Sequence, residues 1–138
     1  MGHMRRRRIL LVLVAALLGA SAAPAAGAAT YYVSASGSDS AAGTSPTSAW
    51  RTVGKVNGAA LQPGDVVLFE GGATFSDAAL MPSRSGTSGA RIVYGSYGSG
   101  RAALPRGIWL RSVSSIEVRD FRIASLPQAV LALSLIHI

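Results

Sequence analysis

The sequence has no cysteine, and its two histidines, His3 and His137, stand near the two ends of 138 residues. Without cysteine there is neither a disulfide framework nor a thiolate metal site. Without a histidine between those ends, zinc chemistry and a serine–histidine triad lack their usual partner in the body of the chain. Lysine occurs once, at Lys55, and carboxylates six times: Asp39, Asp65, Glu70, Asp77, Glu117 and Asp120. Apolar runs are short. The main one, Ile9 to Ala20, has twelve residues, fewer than the roughly 18 of a membrane-spanning helix.

That run follows Met4-Arg5-Arg6-Arg7-Arg8 and precedes a small-residue stretch, Ser21 to Ala29. Basic, apolar and small segments in that order predict a secretion signal over residues 1–29, helical before its removal. Cleavage is expected at Ala26-Gly27-Ala28 or at Ala20-Ser21-Ala22, with a retained N-terminal anchor helix as the alternative. Removal takes four of the thirteen basic residues and leaves nine against six acidic, a net +3. Most of the basic character is therefore a targeting feature, and neither a nucleic-acid nor a membrane partner is expected of the mature segment.

The last six residues, Leu133-Ser134-Leu135-Ile136-His137-Ile138, match the translation of CTG TCT CTT ATA CAC ATC. That is the start of a transposon end used in building sequencing libraries. Residues 133–138 are accordingly expected to be a non-native tail, and residues 30–132 the N-terminal part of a longer domain. Ala124 to Ala132 is expected to begin a further strand, although Pro127 argues against a central one.

Between these ends the pattern is strands and turns. Thr30 to Val33 alternates and carries Tyr31 and Tyr32, which predicts a short strand. Ser34 to Ser48 is almost wholly Ser, Gly, Ala, Thr, Asp and Pro, a loop composition. Trp50, Val53, Val56 and Ala60 recur at helical spacing, weakened by Gly54 and Gly58 at about 1 kcal/mol each. Apolar runs then return at Val66–Phe69, Ile92–Tyr94 and Ile116–Val118. Val67 to Ile92 and Ile92 to Ile116 are separated by 25 and 24 positions, within the repeat range of a solenoid; an ordinary antiparallel β-domain is the alternative. The inward phase slips by one across Arg119-Asp120, as it would where a strand turns a corner. In this cadence Asp120 falls over Ser96 and Gly71, and outward Glu117 falls over Val93 and Leu68.

Tyr31-Tyr32-Val33-Ser34, Gly37-Ser38-Asp39, Trp50-Arg51-Thr52-Val53, Leu61-Gln62-Pro63-Gly64-Asp65, Val67-Leu68-Phe69 and Ala90-Arg91-Ile92-Val93-Tyr94-Gly95 stand in that order. With Ser115 to Ile123, they resemble the N-terminal region of secreted right-handed parallel β-helix proteins of the pectate-lyase-like superfamily. The resemblance covers about Thr30 to Ile123. It implies an all-β fold, a right-handed parallel β-helix (solenoid) with an N-terminal cap and about three rungs, and one capping helix near residues 50–60. It also implies a polysaccharide partner and a parent enzyme, lyase or glycosidase, whose catalytic residues lie on later rungs. Lyases of this superfamily often hold calcium on acidic residues of later rungs, so the resemblance allows calcium in the full-length parent and implies no cofactor in this segment. The alternatives are a non-catalytic glycan-binding or adhesin β-helix, and a segment that by itself only associates through an open edge.

No catalytic, cofactor or metal residue is assigned. A polysaccharide hydrolase needs two carboxyl groups facing one bond, and no acid stacks on another in the cadence above. Asp65, after Pro63-Gly64, is expected to organise a turn, with metal binding as the alternative. Asp39 is read as a loop residue, with calcium ligation the alternative. Gly95-Ser96-Tyr97-Gly98-Ser99-Gly100 lacks the glycine order and following helix of a nucleotide loop, and is expected to be a turn. Trp50 is expected on the capping face, with sugar stacking as the alternative, while Trp109 is left as core or platform. Arg106, Arg111, Arg119 and Arg122 sit in no motif that would make one of them a base.

Overall fold

The computed structural model describes residues 27–126 and 129–137, with side chains described as far as Ile123. The expected signal segment to Ala26 lies outside the described residues. Strand is the main regular structure: β1 (Thr30–Val33), β2 (Val66–Glu70), β3 (Ile92–Tyr97), β4 (Ala102–Ala103), β5 (Ile116–Leu126) and β6 (Ala129–His137). A 3-10 turn (Pro46–Ser48) and one α-helix, α1 (Val53–Gly58), complete the regular elements. Among the described residues no helix is long and apolar enough to cross a membrane.

β1, β2, β3 and β5 pair in parallel in that order. Thr30, Val66, Val93 and Glu117 share one row, and Tyr31, Val67, Tyr94 and Val118 the next. Inward positions are buried: Val67, Phe69, Tyr94, Ile116 and Val118 are all at most 2% exposed. Parallel strands need long crossovers, and the Gly- and Ser-rich stretches between the apolar runs supply them.

The register corrects the cadence in one respect. Val67 faces Tyr94, not Ile92, so Glu117 lies over Val93 and Val66 instead of Leu68. Ser96 faces Phe69, not Gly71. The β2–β3 repeat is 27 residues where spacing by apolar runs gives 25. The error is even, so every side chain keeps its face.

Asp120 adopts φ of +59°, one of three positive-φ non-glycine positions among the described residues. The corner expected at Arg119-Asp120 is there. Before it, Ile116 to Val118 pair with β3; after it, Phe121 and Arg122 pair with β4. A second ladder continues from Arg122 through Ala103 to Thr74, and a third bridge joins Leu80 to Ile108. Between the ladders Phe69 meets Phe75 and Phe121 edge-on, at centroid distances of 5.1 and 5.4 Å. The core is the space these ladders enclose.

The outer edge of β1 is closed locally. Trp50 bridges to Val33 in parallel, donating its N–H to Tyr32 O, while its carbonyl accepts from Ser34 N. Its indole stacks on Tyr31 at 4.7 Å and donates to Ala41 O. Gly43, at φ of +77°, leaves the loop no room for a side chain, since a Cβ there would stand 2.5 Å from the Trp50 ring. α1 follows, its N-cap Thr52 accepting from Lys55 N, with Val53 and Val56 buried. Trp50 therefore serves the cap, but from a bridge ahead of the helix and not from the helix itself.

β6 runs antiparallel to β5, from Leu126↔Ala129 to Glu117↔His137. Ala124 to Ala132, expected to begin a further strand, instead ends β5 and starts an antiparallel partner to it. Only Pro127 and Gln128 separate the two strands in sequence, and a link that short joins antiparallel neighbours alone.

Candidate functional site

The carboxylates of Asp65, Asp39, Asp77 and Glu117 are engaged by groups of the scaffold itself. Asp65, 3% exposed, accepts from Ala29 N at 2.8 Å and Gln62 N at 2.9 Å, closing the Pro63-Gly64 turn onto the chain entering β1. Asp39 accepts from the amides of Arg51 and Thr52 and from the Thr52 hydroxyl, fastening the 34–48 loop to the start of α1. Burial opposes ionisation of Asp39, but the Thr52 hydroxyl, the two amides and the Lys55 charge outweigh it and hold the carboxyl below its usual value. Asp77 reaches across the fold to accept from Val53 N and Gly54 N, the first amides of α1. Glu117 pairs with Arg119 at 3.6 Å and Arg91 at 4.0 Å. Asp120 contributes its backbone: its carbonyl accepts from the Ser96 hydroxyl, which itself accepts from Ala102 N.

Glu70 has a more chemical setting. Ser34 directly follows β1, Glu70 ends β2 opposite Tyr97 of β3, and the Ser34 hydroxyl donates to Glu70 Oε2. Burial first, and then the Glu70 charge, push the Tyr97 phenol upward against a hydrogen bond from Ser34. Tyr32 meets Tyr97 edge-on at 5.3 Å. This row has a single carboxylate. Glu117 lies two strands over and four residues back from Glu70, which puts their backbones about 16 Å apart at ordinary strand spacings. Two-carboxylate hydrolysis works across roughly 5–9.5 Å, so these two do not form a catalytic pair.

The calcium that the resemblance allows for a parent protein finds no donor set here. Among the described residues no three of His, Cys, Asp and Glu come together, and Asp39 and Asp65 are committed to backbone amides. The Gly95–Gly100 stretch divides into the end of β3, through Tyr97, and a bend with positive φ at Gly98 and Gly100. It is half strand and half turn.

The second site is a groove of about 540 Å³ lined by Asp77, Ala78, Ala79, Met81, Arg106, Trp109 and Arg111. The Leu80↔Ile108 bridge sets Met81 beside Trp109 on the outside of the bridged segment. Trp109, left undecided by the sequence, is a surface residue 50% exposed. The Arg111 guanidinium lies 5.1 Å from its ring centroid, and its Nε1 donates to Arg106 O at 3.4 Å. Arg106 is itself tied by Nε to Ser76 O at 2.6 Å. Sequence reading passed over this pairing because Met81 and Trp109 belong to separate turns of the chain.

No family model matches the chain. A stretch of 75 residues, 52% of this chain, is 40% identical to a lacto-N-biosidase of Bifidobacterium longum subsp. longum and covers 5% of that protein. A GH136 lacto-N-biosidase from Eubacterium ramulus superposes with a TM-score of 0.50 at 23% identity, over 73% of this chain and 22% of that one. The likeness to the solved structure speaks for fold alone. The chain thus spans a small part of both relatives. Both are glycoside hydrolases, and neither places the chain in the pectate-lyase-like superfamily.

Proposed function

We propose that this chain is the N-terminal cap and first coils of a secreted glycoside hydrolase built on a right-handed parallel β-helix. The observation that carries this reading is the 40% identity over 75 residues to a lacto-N-biosidase. Two ladders of parallel pairing and the parallel Leu80↔Ile108 bridge, with a corner at Asp120, suit a β-helix. The Arg5–Arg8 cluster followed by the Ile9–Ala20 run suits export. In this reading the segment is scaffold. Its carboxylates hold turns, the helix start and arginines, and the hydrolytic pair belongs to a further part of the longer protein.

The test is to express the complete reading frame and incubate it with an oligosaccharide ending in lacto-N-biose. Release of the disaccharide, with a new reducing end, is the expected result. Products with an unsaturated ring would show a lyase, and glycan binding with no product would favour the non-catalytic reading, to which the exposed Trp109 groove lends weight.

A further inference from the structure

We propose that the Met81–Trp109 groove is a saccharide-binding subsite that takes an anionic sugar, with the Trp109 indole as platform and the Arg106 and Arg111 guanidiniums as carboxylate partners. The proposal rests on the reading above only for the choice of a saccharide over other anions.

Exposure marks the groove first. Met81 and Trp109, 51% and 50% exposed, are the exposed large hydrophobic residues among the described ones, and they stand together. Leu80, beside Met81, is fully buried, so the bridged segment is anchored from within while its outer face stays open.

The platform is also fixed in place. Arg111 lies against the ring, and Nε1 is tied to Arg106 O. Gly107, at φ of +80°, turns the chain between the two residues. A ring already held costs a ligand little ordering entropy. The apolar C–H face of a pyranose fits such a surface, and a volume near 540 Å³ falls in the range of small-ligand clefts.

Charge then selects the ligand. Arg106 and Arg111 bring two cations to the groove, and its one lining carboxylate, Asp77, directs both oxygens at the amides of α1. The groove is therefore positive overall. A guanidinium matches a carboxylate in two parallel hydrogen bonds, whereas a neutral sugar would leave that capacity unused.

Isothermal titration of the full chain at low salt tests the proposal, using trigalacturonate, the neutral trisaccharide maltotriose, and pentathymidylate as a non-sugar anion that also stacks. The expected result is that trigalacturonate binds about tenfold or more tighter than either control, an increment of the size one desolvated ion pair can supply. Arg111→Gln should weaken it severalfold and Trp109→Ala should abolish it, with unchanged urea midpoints showing that both variants fold. Should Trp109→Ala unfold, Trp109→Phe keeps a smaller platform and should bind at an intermediate level. Equal binding of maltotriose, equal binding of pentathymidylate, or indifference to both substitutions would each overturn the proposal. Hydrolysis does not enter this readout, so the subsite can fail while the glycosidase reading stands.

Discussion

Asp39 lies exposed in the 34–48 loop, yet its carboxyl is held below the usual value by the Thr52 hydroxyl and the Arg51 and Thr52 amides. Its folded-state value being depressed, the stabilisation it gives is complete above the unfolded value of 3.8 and is lost as pH falls through the lower, folded one. Asp39→Asn should therefore unfold at lower urea than the parent at pH 6, and that gap should close as pH is taken below 3.8. Urea midpoints at a series of pH values measure it. Gly43 sets a different kind of constraint, since a Cβ there would strain the positive φ and strike the Trp50 ring. Gly43→Ala should cost about 1–3 kcal/mol of unfolding free energy, with a loss of the near-ultraviolet circular dichroism that the Tyr31–Trp50 stack contributes. Asp65 was readable as a turn former because Pro63-Gly64 precedes it. That its other oxygen would hold Ala29 N, 36 residues away, was not, since nothing local marks such a partner.

At the scale of elements, α1 owes its place to residues distant in sequence. Asp77 caps its first amides, and Asn57 near its end donates to Ala79 O and accepts from Met81 N, filling the place of a neighbouring strand for the 79–81 segment. A six-residue helix with two glycines has little stability of its own. Asp77→Ala should cost about 1 kcal/mol, the worth of a helix cap, and should speed hydrogen exchange at the Val53 and Gly54 amides ahead of the rest of the fold. The helix itself was legible from the spacing of Val53 and Val56. Its fastenings were not, because Asp77 and Asn57 act through space and sit in stretches that read as plain loop. The corner at Asp120 was legible for the opposite reason: alternation along one strand records a change of face directly.

For the molecule as a whole, the apolar runs revealed the strands and their inward faces, but left parallel or antiparallel pairing open and gave no exact register, since crossover length is free to vary without disturbing the alternation. The core draws residues from both ladders and from the Leu80 bridge. Phe121→Ala would remove the ring that meets Phe69 and should cost about 3–5 kcal/mol. Against a total stability of order 5–15 kcal/mol, the urea transition followed by circular dichroism should move to much lower denaturant. The candidate groove was half legible: Trp109 stood out in the sequence, while its partner Met81 and the arginines around it come together only through the Leu80↔Ile108 bridge. The central claim is that this chain is glycosidase scaffold, with the hydrolytic carboxylates elsewhere in a longer protein. It is tested most directly by assaying the 138-residue chain and the product of the complete reading frame side by side on a lacto-N-biose-terminated oligosaccharide. The account predicts disaccharide release by the complete protein and none by the chain alone. Release by the chain alone, or none by a folded complete protein, would contradict it.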